Sequence, residues 1–281
     1  MFRMSALAGF LLASLFGNVG AAPPQRIVSI NICGDLLALS LAPRARIASV
    51  TFLAADPRMS PIAEAADGIP LNYGKAEEVL VFEPDLVLAG RHTTRATVAL
   101  LERLGYPVIK LDIAQSLDDV RAQIRVAAAA MEVVAAGEEM IATLDAHIEA
   151  TAAQRGASRP LAAVYGPNGF TPGSRTLSGS LMELAGFENL AARAGIRTWG
   201  NLSLESLLLA RPDVLIVEAE GDNAHALASQ ILAHPALLDL RERITVAAVP
   251  RPLWSCPGPW IVDALDKLVA ARAAVLERSR P

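Results

Sequence analysis

The residues best suited to chemistry in this chain come in scattered sets, with one duplication. Glu77 stands at a fixed spacing ahead of Pro84-Asp85, and Glu205 stands at the same spacing ahead of Pro212-Asp213. A glutamate in the first turn of a short helix suits the positive helix end. A proline then stops the helix, and the branched runs Leu86-Val87-Leu88 and Val214-Leu215-Ile216-Val217 read as buried strands. Arginines at Arg91, Arg95, Arg175, Arg197 and Arg251 offer planar forks for carboxylate, catecholate or phosphate oxygens. Arg91 is the first choice because it directly follows the strand-ending Leu88-Ala89-Gly90. Tyr73, Tyr165, Phe170, Trp199 and Trp254 offer flat apolar surface to a large planar or chelated ligand. Tyr165 suits a core position equally well.

Metal and nucleophilic chemistry are less well provided for. The histidines His92, His147, His225 and His234 are too scattered to supply the converging imidazoles of a bare metal site, so no metal is expected. His92 alone falls in a loop of the kind that lines a ligand cleft. Ser178-Gly179-Ser180 with His225 or His234 as base would be the reading of a secreted α/β hydrolase. It lacks a Gly-x-Ser-x-Gly elbow and an acid placed behind the base.

These residues are carried by strands alternating with helices. Strands are expected at Arg26–Ile30, 47–50, 86–88, 108–111, 161–165, 214–217 and 245–249. Helices are expected from Asp35, through Leu104, at 181–185, near Leu227–Leu232 and from Ile261 to Leu276. That alternation predicts an α/β fold with mainly parallel sheets. From Ser116 to about Arg155 the chain is free of proline and rich in alanine, which predicts its longest helical region, broken near Gly137. The segment after the break is placed to cross from one half to the other. The organisation read is a signal peptide over 1–22, an N-terminal α/β lobe over 23–136, a linker helix over 137–157 and a C-terminal α/β lobe over 158–281.

Composition sets outer bounds. The chain has 281 residues, 53% of them hydrophobic and 19% charged, with a net charge of −4. A large core is affordable, and with no long basic run nucleic acid is not expected as a partner. Arg3, the apolar stretch Ala6–Phe16 and the small residues Gly20-Ala21-Ala22 have the order of a secretory signal. The stretch is shorter than the roughly 20 residues of a membrane span, so an exported, periplasmic protein without an anchor is expected. Cys33 and Cys256 are the only cysteines. In an oxidising compartment they permit a disulfide, and two small buried side chains would serve as well.

In order and spacing, several pieces together resemble one family. They are Arg26-Ile27-Val28-Ser29, Glu77…Pro84-Asp85-Leu86-Val87, the helix through Gly137–Arg155, Ala185-Gly186-Phe187-Glu188-Asn189-Leu190, Trp199…Ser203-Leu204-Glu205…Pro212-Asp213 and Pro257-Gly258-Pro259. The chain resembles the periplasmic solute-binding proteins of ABC importers for iron–siderophore, haem and cobalamin. The resemblance implies two Rossmann-like lobes joined by one rigid helix, no catalysis, no cofactor of its own, and a monomer that passes its ligand to a permease and ATPase complex. By position it makes Glu77 and Glu205 the permease-docking pair. It places Trp199 where cobalamin binders carry a cleft aromatic and Phe170 close to another, while Leu71 departs from a second such aromatic. A ferric siderophore or related iron complex is the first expectation for the ligand, with cobalamin or haem behind it. The ligand-contacting set is then Cys33, Tyr73, Arg91, His92, Tyr165, Phe170, Arg175, Trp199 and Trp254. A sensor that keeps the binding fold without transport is a further alternative.

Overall fold

The structure is a computed structural model that describes residues 22–92, 94–218, 235 and 244–278. Residues 1–21 of the signal segment expected over 1–22, the helix near Leu227–Leu232 and the candidate bases His225 and His234 lie outside the described residues. Among the described residues no helix is long and apolar enough to cross a membrane.

The first half runs β1 (Ile27–Ser29), α1 (Ile32–Leu41), β2 (Ile47–Thr51), β3 (Leu71–Asn72), α2 (Ala76–Leu80), β4 (Leu86–Gly90), α3 (Arg95–Arg103) and β5 (Val108–Leu111). Its strands form one sheet in the order β3-β2-β1-β4-β5, and every pairing is parallel. Two helices follow, α4 (Leu117–Ala130) and α5 (Val134–Ala153). The second half runs β6 (Leu161–Val164), β7 (Phe170–Pro172), α6 (Leu177–Leu184), β8 (Glu188–Asn189), α7 (Leu190–Arg193), β9 (Trp199–Asn201), α8 (Leu204–Ala210), β10 (Val214–Val217), β11 (Thr245–Ala248), α9 (Pro252–Ser255) and α10 (Ile261–Arg278). Its parallel sheet has the order β11-β10-β6-β8, and β7 and β9 form a separate antiparallel ribbon. β4, β6 and β10 are buried at every residue, as strands covered on both faces must be.

The duplicated phrase folds the same way twice. In each copy the residue before the proline takes a positive φ, 44° at Glu83 and 47° at Arg211. The aspartate after the proline then anchors the incoming strand to its neighbour. Asp85 accepts the Gln25 and Arg26 amides at 2.7 and 2.8 Å, and Asp213 accepts the Leu161 amide at 2.8 Å. Each aspartate thus fixes the chain where it passes from its short helix into the sheet.

Two expectations are corrected here. Helix α1 opens at Ile32, capped by the Asn31 side chain on the Cys33 amide, so Asp35 lies inside it rather than at its start. The break in the long helical region falls before Val134, where Glu132 takes φ 54°, and Gly137 sits inside α5. A Cβ on Gly137 would meet the Ala128 Cβ at 2.5 Å. The glycine is there for close packing of α5 on α4, not to interrupt a helix. At its other end α5 meets the second half, where the His147 Nε2 lies 2.7 Å from Asp266 of α10.

A second connection joins the halves. Cys33 and Cys256 form a disulfide across a sequence separation of 223 residues, from the first turn of α1 to the residue that follows α9. Neither residue therefore offers a free thiol to a ligand.

Candidate functional site

In a parallel sheet, ligands meet the chain at the carboxyl ends of the strands, where loops and helix starts converge. In the first half, parallel register sets Thr51 beside Asn72. The next residue of each strand, Phe52 and Tyr73, therefore emerge side by side, and their rings stack at a centroid distance of 4.8 Å. Both remain exposed. The loop beneath them is held by the buried Asn72, whose amide donates to the Ser29 carbonyl and the Ser49 hydroxyl and whose oxygen accepts the Gly74 amide. Glu78 accepts the Tyr73 amide at 2.6 Å. This separates the two adjacent glutamates: Glu78 shapes the aromatic loop, whereas Glu77 projects from α2 exposed to solvent.

The second half builds a matching surface by different means. Ribbon β7–β9 pairs Phe170 with Asn201 and Pro172 with Trp199. Phe170 and Trp199 are thus diagonal neighbours on one face of the ribbon, within reach of each other. Their rings stack at 5.4 Å with planes 4° apart, and both are more than a third exposed. Gly169 makes the ribbon possible, because it takes φ +74° and a Cβ there would lie 2.2 Å from the Leu202 carbonyl oxygen.

A cavity of about 530 Å³ is lined mainly by the end of β5, the loop after it and α4, including Arg91, Lys110, Asp112 and Ile113, with Arg175 its one lining residue from the second half. The aromatic pairs are not part of its wall. Arg91 is engaged by Asp112 at 2.7 Å, and His92 lies 3.8 Å from the same carboxylate. Arg175 is exposed, with its backbone tied to the Arg197 carbonyl. Ser180 of the second half donates to the Gln115 carbonyl of the first, so its hydroxyl serves the contact between halves, and Ser178 is buried.

Two of the expected contact residues belong to the core instead. Trp254 is 1% exposed and its indole N–H donates to Glu218 at 3.0 Å, so it offers no face to a ligand. Tyr165 is buried among Leu161, Leu190, Leu202 and Leu207, and that burial, with the nearby Glu205 charge, raises its hydroxyl pKa. Sequence reasoning missed Phe52, which directly follows β2. It also missed Glu218, a carboxylate just past β10 whose pKa burial raises despite Arg251 at 3.5 Å. The signal for Phe52 was its place directly after a strand.

Glu205 is exposed in the first turn of α8, capped by Ser203. Its own amide and the Ser203 hydroxyl hold its carboxyl below the usual range, so it is an anion at any ordinary pH. Among the described residues no group of three or more His, Cys, Asp or Glu side chains is placed to hold a metal.

Two parallel α/β halves bridged by a helix, each carrying a pair of exposed stacked rings, define a two-lobed solute-binding architecture. The chain belongs to the periplasmic binding protein family, whose model matches residues 44–241. It is of the helix-linked class that serves ABC importers, a family of periplasmic substrate-binding transport proteins. It is 27% identical over 264 residues to a cobalamin-binding protein of Halobacterium salinarum, covering 88% of this chain and 69% of that one. It is 23% identical over 276 residues to a vitamin B12-binding protein of Pectobacterium carotovorum, covering 96% and 94%. Among solved structures, the periplasmic heme-binding protein RhuT from Roseiflexus sp. RS-1 superposes with a TM-score of 0.76 at 27% identity, covering 89% of this chain and 98% of that one.

Proposed function

We propose that this protein captures a flat, metal-centred macrocycle of the corrinoid class between its lobes and delivers it to an ABC permease. The observation that carries the reading is the pair of exposed aromatic stacks, Phe52–Tyr73 past β2 and β3 in the first half and Phe170–Trp199 on the β7–β9 ribbon of the second. Exposed rings held by buried anchors cost free energy unless a ligand covers them, and flat faces on both lobes suit a flat ligand. A ferric siderophore, the first expectation from sequence, fits less well. A catecholate trianion calls for several free converging guanidinium groups, and Arg91 is already neutralised by Asp112. The names of the two sequence relatives also favour a corrinoid, and the heme-binding neighbour keeps haem as the second reading. Arg175 on the cleft wall would then meet polar substituents at the ligand's edge.

Delivery falls to Glu77 and Glu205, exposed anions at equivalent helix starts, which give orientation and encounter steering to a basic partner. The protein works as a monomer in the periplasm.

The test is titration of purified protein with cyanocobalamin, hemin and a ferric catecholate, followed by calorimetry and ligand absorbance. Cyanocobalamin should bind one to one, and Trp199→Ala should weaken it about tenfold, in line with one lost aromatic contact of about 0.5–1.5 kcal/mol. Tight binding of the ferric catecholate alone would overturn the reading. Glu77→Ala with Glu205→Ala should abolish permease-dependent uptake while leaving affinity intact. Uptake that persists in that variant would refute the docking role.

A further inference from the structure

The segments of α2, with the capping residue that follows it, and of α8 carry a second duplicated feature besides their glutamates. Val81 stands four residues after Glu77, and Leu209 stands four residues after Glu205. They are 78% and 85% exposed, the most exposed large hydrophobic side chains among the described residues. Two positions before each, Val79 and Leu207 are almost completely buried, 0% and 1% exposed. The helical period therefore sends one apolar residue into the core and presents the other on the same face as the glutamate. A single exposed leucine on a protein surface is ordinary. Two at corresponding positions of a duplicated motif, each beside an equivalent exposed anion, form a pattern that surface chance does not explain. The equivalent positive-φ residues Glu83 and Arg211, and the Asp85 and Asp213 hydrogen bonds, give both patches the same local backbone.

We propose that Val81 and Leu209 complete a two-point docking surface for the membrane permease of the importer. At each point the carboxylate enters a cationic pocket while the apolar side chain covers its rim. This rests on the docking reading of Glu77 and Glu205. Charge complementarity identifies the occupant: two anions with flanking apolar knobs match a basic surface whose pockets have apolar lips. The division of labour follows from physics. Exposed charges act over distance and set the encounter rate, whereas an apolar contact forms only at touching distance, excludes water from the ion pair and slows departure.

The experiment measures association and dissociation of ligand-loaded protein on the importer's own permease–ATPase complex in lipid nanodiscs, by surface plasmon resonance. The variants are Val81→Ser, Leu209→Ser and the two together. These positions are solvent-exposed, so thermal unfolding and cyanocobalamin affinity should match wild type. The double variant should dissociate about tenfold faster, with its association rate nearly unchanged, and Glu77→Gln with Glu205→Gln should instead slow association and flatten its salt dependence. A wild-type dissociation rate in the double serine variant, with the glutamine variant still impaired, overturns the apolar role alone. A glutamine variant that docks like wild type brings down the underlying docking reading. Sedimentation that shows a wild-type dimer dissolved by Leu209→Ser would assign the patch to a second copy of the chain and overturn the proposal.

Discussion

Breaking the bond between Cys33 and Cys256 is the perturbation with the largest expected consequence for stability. The bond closes a loop of 223 residues, nearly the whole of the described chain. In the chain-entropy account, a crosslink over that length removes about 5 kcal/mol of conformational freedom from the unfolded state at 25 °C. Native-state accommodation and residual structure in the unfolded chain reduce this, so a loss of about 2–5 kcal/mol is expected. Cys256 is 3% exposed within the apolar core, so alanine is the better replacement, since a serine hydroxyl would be buried without an assured partner. Guanidinium unfolding of three samples decides it: oxidised wild type, wild type with reductant, and Cys33→Ala with Cys256→Ala. The last two should share a midpoint well below the first and show a steeper denaturant dependence, because an uncrosslinked chain exposes more surface on unfolding. Peptide mapping without reductant should recover the two cysteine peptides joined. A double variant within about 0.5 kcal/mol of the oxidised protein would refute the account.

Asp35 links stability to pH. Burial raises its pKa from 3.8 to about 6, although the Thr51 hydroxyl and amide and Ser29 work in the opposite direction. A raised folded-state pKa means that its stabilisation is complete below about pH 4 and is lost as pH rises through 6, on the order of 3 kcal/mol in all. Asp35→Asn should remove this component, so the wild type should lose stability relative to the variant between pH 4 and 6, and parallel curves would argue against it. Gly137→Ala should destabilise by about 1–3 kcal/mol through its collision with Ala128, despite alanine's better helix propensity, as read from the thermal midpoint. Trp254→Phe leaves the Glu218 carboxylate without its indole donor and opens space in the core, so a loss of about 2–4 kcal/mol is expected in chemical denaturation.

What the sequence made legible, and what it hid, divides by the distance to each residue's partner. Glu77 and Glu205 could be matched because their context is local: one short helix, a proline and the strand that follows. The parallel sheets were legible because buried strands write themselves as unbroken apolar runs. Trp199 and Trp254 are both tryptophans in irregular segments, and nothing nearby tells them apart. Trp254 is drawn inward because a carboxylate from the end of another strand, Glu218, accepts its indole N–H, whereas Trp199 is held outward by a ribbon whose register places it diagonal to Phe170. Phe52 gains its meaning only from the parallel register that brings Tyr73 beside it. Gly137 was read by its propensity, as a helix breaker, when the deciding contact was Ala128 on the neighbouring helix. The candidate site is therefore assembled mainly from long-range pairings. Its aromatic faces can be disturbed at the register that positions them, through Asn72 or Gly169, without touching a ring.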